Sequence, residues 1–224
     1  RLLYGGRVSL LVGMTAALAA AVIGSVIGLV AGYYGGRIDA LLMRLTDGVI
    51  SLPLLPLLIV LAAVDLEKLG LPGAIVSSEN ASLYRIVVIV AAVGWTTVAR
   101  LVRGAALTLR EREFVLAARS YGAGGIRIMS VHILPNLVSP IIVATTLSVG
   151  NVILLESVLS FLGLGIQPPL PSWGNILTNA QELIWTAPAL AIWPGVLIFA
   201  TVIAFNFLGD GMQDALDPKA LQRK

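Results

Sequence analysis

Long runs of apolar residues, separated by short charged stretches, set the pattern of this chain. The first uncharged run extends from Val8 to Gly36 and is dense in Ala, Val, Ile and Leu as far as Ala31. A helix needs about 20 mostly apolar residues to cross a bilayer, so a span is expected over residues 8–31. The run is too long for the core of a signal peptide, and no small-residue cleavage site follows in the usual place. Gly48 to Val64 predicts a second span, 48–64, despite Pro53 and Pro56, because neighbouring helices can satisfy the carbonyls that proline frees. A third span is expected over 83–103. Arg85 and Arg100 intrude there, leaving 14 uncharged residues between them, and long arginine side chains near helix ends can snorkel to the interface. The fourth span, 133–161, carries Glu156, and the fifth, 183–209, carries no charge. Residues 65–82 are polar, contain Pro72 and Gly73, and read as a loop. Residues 162–182 hold Pro168, Pro169, Pro171 and Trp173 but no Lys or Arg. They read as a compact loop or re-entrant segment, with Trp173 and Trp185 as interface anchors.

Composition agrees with the pattern. Of 224 residues, 58% are hydrophobic and 12% charged, against about 25% charged in a soluble domain. The expected fold is all-α and polytopic, a single transmembrane domain over residues 1–224. There is no cysteine and one histidine, His132, which excludes disulfides, thiolate chemistry and a histidine-rich metal centre. His132 has no second ligand residue nearby, so no metal site is expected.

The net charge of +3 reflects basic cytoplasmic loops rather than nucleic-acid binding. Alternating the loops across five spans places Arg37, Arg44, Arg100, Arg103, Arg110, Arg112, Arg119, Arg127, Lys219, Arg223 and Lys224 on one side. Arg1, Arg7, Lys68 and Arg85 fall on the other, giving 11 against 4. The positive-inside rule makes the first side cytoplasmic, with the C-terminus inside. An outside N-terminus without a signal leads to the expectation of a sixth span upstream.

Three features carry candidate function. Ala16, Ala20, Gly24, Gly28 and Gly32 recur at four-residue spacing, which puts small residues on one helix face and lets another helix approach closely. The partner is either a helix of this chain or another subunit. The cytoplasmic segment of about 104–132 has helical periodicity as far as Ala118, then Gly122, Gly124 and Gly125. This predicts a helix, a glycine turn and a second short helix entering the next span at Pro135, a knob that a partner can grip. Glu156 is an ionisable group inside a span, and such groups usually face a bundle interior or a water-filled path. It either lines the translocation route, with Asn151 five residues earlier, or hydrogen-bonds the loop that contains Trp173 and Asn175.

The cytoplasmic segment resembles the motif shared by permease subunits of binding-protein-dependent ABC importers. That motif is Glu-Ala-Ala, three residues, Gly, nine residues, Ile, one residue, Leu-Pro. Leu116, Ala117 and Ala118 stand at its first three positions, Gly122 at the glycine, and Leu134 and Pro135 at its close. Leu116 replaces the glutamate and His132 the isoleucine. The stretches AGYYGGRIDALLMR (31–44), HILPNLVSPIIV (132–143), LSFLGLGIQPPLPSWGNIL (159–177) and AFNFLGDGMQDALDP (204–218) look like the dipeptide, oligopeptide and nickel branch, and specifically its second permease subunit.

The resemblance implies a type I importer permease fold with a cytoplasmic coupling helix, in the bacterial inner membrane. It implies a second permease subunit, two ATP-binding subunits and an extracytoplasmic binding protein as partners. Leu116, Ala117, Ala118, Arg119, Gly122, Arg127, Leu134 and Pro135 would form the part that couples to the ATPases. Arg119 and Arg127 would meet acidic groups there or lipid phosphates, or serve simply as positive-inside charges. The cargo it implies is a di- or oligopeptide, with nickel or another small solute as the alternative.

No cofactor is expected in this chain, with ATP and magnesium held by the partner subunits. A phosphate-binding loop needs Gly followed by Lys, whereas Lys68, Lys219 and Lys224 follow Glu, Pro and Arg. The rival reading is a transporter driven by an ion gradient. It needs intramembrane ionisable pairs and inverted repeats, and Glu156 alone, with no visible repeat, does not supply them.

Overall fold

Proline and ion pairing decide where the helices of this chain begin and end. The structure, a computed structural model, describes residues 1–64, 78, 80–178 and 180–216. Its elements are α1 (Leu2–Tyr34), α2 (Gly36–Ser51), α3 (Leu54–Ala63), α4 (Ala81–Leu109), α5 (Glu113–Ser120), α6 (Gly125–Phe161), α7 (Trp173–Leu177), α8 (Ala180–Leu183) and α9 (Ala189–Leu216). The all-helical expectation holds among the described residues. Helices α1, α4, α6 and α9 are each long and apolar enough to cross a membrane, and α2 with α3 makes a fifth candidate as a broken pair.

The second span departs most from its sequence reading of 48–64. Helix begins at Gly36, because Arg37, Asp39, Arg44 and Asp47 are all accommodated within α2. It stops at Ser51, in the middle of the apolar run. Pro53 disfavours the helical conformation for the residue before it, and Leu52 is extended, with φ −79° and ψ 138°. At about 1.5 Å per residue, α3 is too short to cross a bilayer alone.

Other ends run past the charged residues that marked them in the sequence. Helix α4 continues beyond 103 to Leu109 because Arg100 and Arg103 find aspartate partners. The expected second short helix is present, but it is continuous with the span it enters. From Gly125 the chain makes one α turn, widens into a π turn over Ile128–Ile133, and continues as α-helix to Phe161. The fifth span is shifted from 183–209 to Ala189–Leu216, starting just after Pro188. Most of the 65–82 loop, and Lys219, Arg223 and Lys224, lie outside the described residues.

The chain packs as two units. One comprises Leu18–Leu52, Val93–Thr146 and Leu208–Lys224. Within it the lower half of α1 meets α4 along a seam of small residues. A Cβ on Gly24 would stand 2.5 Å from the Trp95 carbonyl oxygen, one on Gly28 closer still to that of Ala99, and one on Gly32 2.6 Å from the Cβ of Ala106. The four-residue stripe therefore packs within this chain. Beside it, Leu29, Val98, Val102, Ala106, Val115, Ile128, Met129, Ile133 and Leu137 form one buried apolar cluster.

The other unit comprises Arg1–Ala17, Pro53–Ala92 and Leu147–Phe207. Its core includes Val12, Leu58, Ile86, Val90, Ile153, Leu159 and Ile166. Trp173 is not an interface anchor. Its ring lies on α1 where Gly6 leaves room, and its Nε1 donates to the Leu2 carbonyl at 3.0 Å. A buried Trp finds a partner for its N–H, and here that partner is the first turn of α1. Trp185, in contrast, is exposed.

Candidate functional site

The candidate coupling segment lies in the unit that holds the lower half of α1. After Leu109 the chain turns through Arg110–Arg112, and α5 starts with Glu113 in its first turn and ends with Arg119 in its last. Both charges complement the helix dipole. Val115 alone of α5 is buried, and it anchors the helix in the apolar cluster.

The helix ends in a Schellman motif. The Gly122 N–H donates to the Arg119 carbonyl and the Ala123 N–H to that of Ala118, each at 3.0 Å. This pair of bonds requires a left-handed residue after the cap, and Gly122 has φ +80° with nothing within 4 Å of where a Cβ would stand. Glycine is required there for its backbone conformation and not for space.

The remaining motif residues divide by exposure. Leu116, Ala117, Arg119, Gly122, Arg127 and Pro135 are exposed, while Ala118 and Leu134 are half-buried. Leu134 packs on the cluster. Phe114, Leu116, Tyr121 and Ile126 are exposed apolar side chains of the same segment, with Tyr121 91% exposed. Arg119 is engaged within the chain, its guanidinium 5.8 Å from the centre of the Tyr33 ring, a cation–π distance. Pro135 has no N–H for the helix ladder. The ladder has just slipped by one residue, with the Leu134 N–H donating to the Met129 carbonyl in the π turn. The His132 carbonyl accepts from Asn136 Nδ2 at 2.8 Å.

Glu156 and Asn151 do not come together. Asn151 is exposed and Glu156 is fully buried at 0%. The Glu156 carboxyl accepts from Ser9 Oγ at 3.1 Å and from Ser160 Oγ at 2.7 Å. Each hydroxyl in turn accepts from a backbone N–H of the 162–178 loop, Trp173 to Ser9 at 3.1 Å and Ile166 to Ser160 at 3.0 Å. Ser172 and Asn175 close a capping box at the start of α7, and Asn175 Nδ2 also donates to the Leu170 carbonyl at 2.7 Å. Glu156 is therefore the hub that fixes the 162–178 loop onto α1 and α6. Of its two sequence readings the structure supports the loop-bonding one. Ser9 and Ser160, its direct partners, carry no signal in the sequence, because serine is common and Ser9 lies 147 residues from Glu156.

Sequence reading also misses the ion pair of Asp39 with Arg103, 64 residues apart, bonded through two nitrogens and both carboxylate oxygens. Among the described residues no three His, Cys, Asp or Glu side chains are grouped to hold a metal ion.

Residues 24–222 match the sequence profile of the binding-protein-dependent transport system inner membrane component family. The chain belongs to that family. As such it is a permease subunit of a binding-protein-dependent ABC importer, an inner-membrane transport component and not an enzyme. Among its relatives is the dipeptide transport system permease protein DppC of Alkalihalophilus pseudofirmus, 42% identical over 98% of this chain and 67% of the relative. The glutathione transport system permease protein GsiD is also 42% identical, in Escherichia coli O6:K15:H31 and in Pectobacterium atrosepticum, over 98% of this chain and 68% of each relative. The fold is similar to that in a solved structure of the MetNI methionine ABC transporter in an inward-facing conformation, with a TM-score of 0.71, 20% identity and 96% of both chains covered.

Proposed function

We propose that this permease carries di- or oligopeptides across the inner membrane as one half of a translocation pathway, driven through α5 by a cytoplasmic ATPase. The observation that carries the reading is the build of α5 and its turn. A short helix is anchored by Val115, stopped by Gly122, and otherwise turned outward with Phe114, Leu116, Tyr121 and Ile126 exposed. Exposed apolar area of this kind marks an interaction surface. Relatives named for dipeptide and glutathione transport support a short peptide as cargo. The partners in this reading are a second, non-identical permease, two ATPases that hold ATP and magnesium, and an extracytoplasmic binding protein. The arginines of 100–127 face the cytoplasm, as does the C-terminus. Leu116, Ala117, Ala118 and Gly122 meet the ATPase, Leu134 and Pro135 carry the push along α6, and Arg127 meets acidic groups or lipid phosphate.

A gentle-detergent pull-down of the native complex, read by mass spectrometry, tests the partners. Recovery of a second permease and two P-loop ATPases is expected. Recovery of this chain alone, or as a homo-oligomer, overturns the reading.

A second prediction concerns Gly122. A non-glycine residue in the left-handed region costs about 1–2 kcal/mol, and a β-branched one is more strained still. Gly122→Val should distort the turn, lower peptide uptake about tenfold and leave membrane insertion and ATP hydrolysis in place. Unchanged uptake in proteoliposomes would remove the coupling role from this turn.

A further inference from the structure

We infer that Asp39 is a positioning residue, the strut by which α2 follows α4 when the coupling segment is displaced; the inference rests on the coupling reading of α5. Helix α2 has little else to hold it. Thr46 is its only fully buried residue. The chain reverses into it through Gly35 and Gly36, both at positive φ, which sets its first turn, and Asp39, beside α4.

There the Asp39 carboxylate meets Arg103 with both oxygens, one bonded to Nε and one to Nη2. Side-chain exposures are 14% for Asp39 and 34% for Arg103. A forked pair of this kind fixes direction as well as distance. Arg103 is itself held from behind, since its backbone lies in the α1–α4 seam against Gly28 and Gly32. Six residues further, α4 ends at Leu109. Arg110 then donates from Nη1 to the Gly32 carbonyl at 3.3 Å, and α5 begins at Glu113. A displacement of α5 thus reaches α4 through a three-residue turn, and α4 grips α2 by Asp39.

The same two helices carry a built-in control. Asp47 and Arg100 also pair, at 2.6 Å, but through one nitrogen and with side-chain exposures of 61% and 50%. Exposed pairs of this kind contribute little, and this one does not fix direction.

The test uses the full importer reconstituted with its ATPases, scoring peptide transported per ATP hydrolysed. Asp39→Asn keeps the size of the side chain and removes its charge. It should lower that ratio about tenfold, with complex recovery and ATP hydrolysis within about twofold of wild type. Asp47→Asn should leave all three unchanged. Arg103→Lys keeps the charge without the fork and should lower the ratio by about threefold or more. The reciprocal Asp39→Arg, Arg103→Asp double variant should recover much of it.

A ratio unchanged in both Asp39→Asn and Arg103→Lys overturns the inference. So does a loss of complex recovery in Asp39→Asn together with a normal ratio in Arg103→Lys, since the pair would then serve folding alone. Gly122→Val, run alongside, separates the two levels. If it too leaves the ratio unchanged, the coupling reading fails. If it uncouples while both ion-pair variants behave as wild type, only the strut fails.

Discussion

Gly28→Leu should prevent this permease from folding normally. At that position the backbones of α1 and α4 are in direct contact. A Cβ would collide with the Ala99 carbonyl oxygen and stand 2.9 Å from the Val102 Cβ and 3.0 Å from the Arg103 nitrogen. Two of these three neighbours are backbone atoms, so no rotamer change relieves the clash and the helices must separate. Overpacking a core typically costs about 1–3 kcal/mol, occasionally more. Against a stability of about 5–15 kcal/mol that is a large fraction. It corresponds to a fall in Tm of about 2–12 °C for a chain of this size, and moving backbone places Gly28→Leu at or beyond the upper end. Gly48→Ala is the matching control. It is also a helical glycine, but nothing lies within 4 Å of its Cβ position, and removing a helical glycine gains about 0.5–1 kcal/mol. Size-exclusion chromatography after graded heating should therefore move in opposite directions for the two. A Gly28→Leu protein that accumulates and melts like wild type would show that the seam is looser than its geometry.

Glu156→Ala should have an effect of similar size for a different reason. The carboxyl accepts hydrogen bonds from the Ser9 and Ser160 hydroxyls, and those hydroxyls hold the 162–178 loop by its Trp173 and Ile166 amides. Removing it leaves two buried donors unmatched, at about 1–3 kcal/mol each, and opens a cavity beside them. Glu156→Gln keeps the volume and one acceptor oxygen, so it should lose less. The amount of folded, assembled protein and the uptake should fall together, with uptake per assembled complex nearly constant. The opposite result is informative. If Glu156→Gln folds and melts normally yet loses uptake, the carboxyl acts on the passing substrate and not on the loop.

How far the sequence could be read follows from the range of each interaction. The apolar runs and the glycine stripe are local signals, the runs legible as α1, α4, α6 and α9 and the stripe as one face of α1. The ends of the helices are not, because they depend on partners far away in sequence. Arg103 reads as the edge of a span until Asp39, 64 residues earlier, is seen to accept its hydrogen bonds. Pro53 was visible, but whether a proline kinks a helix or ends it depends on what takes up the freed carbonyls. Here Leu52 turns extended and the helix stops. Glu156 stood out as the lone charge in its span, and its burial could be suspected. The serines that explain it could not. Gly122 was legible because a Schellman turn is built from neighbouring residues and needs one glycine at one place.

The π turn over Ile128–Ile133 puts one surplus residue into the first turns of α6. An α-helix advances about 100° around its axis per residue, so one surplus residue in a turn re-phases everything on its far side by roughly that angle. Ile128, Met129 and Ile133 lie within the widened turn and Leu137 just beyond it, and all four are buried in the same apolar cluster. The surplus residue thus acts as an angular offset within α6, between its first turn and the long stretch from Leu134 to Phe161. The rotational phase of the membrane-spanning part of α6 is encoded in residue count, at a point downstream of every residue that α5 contributes.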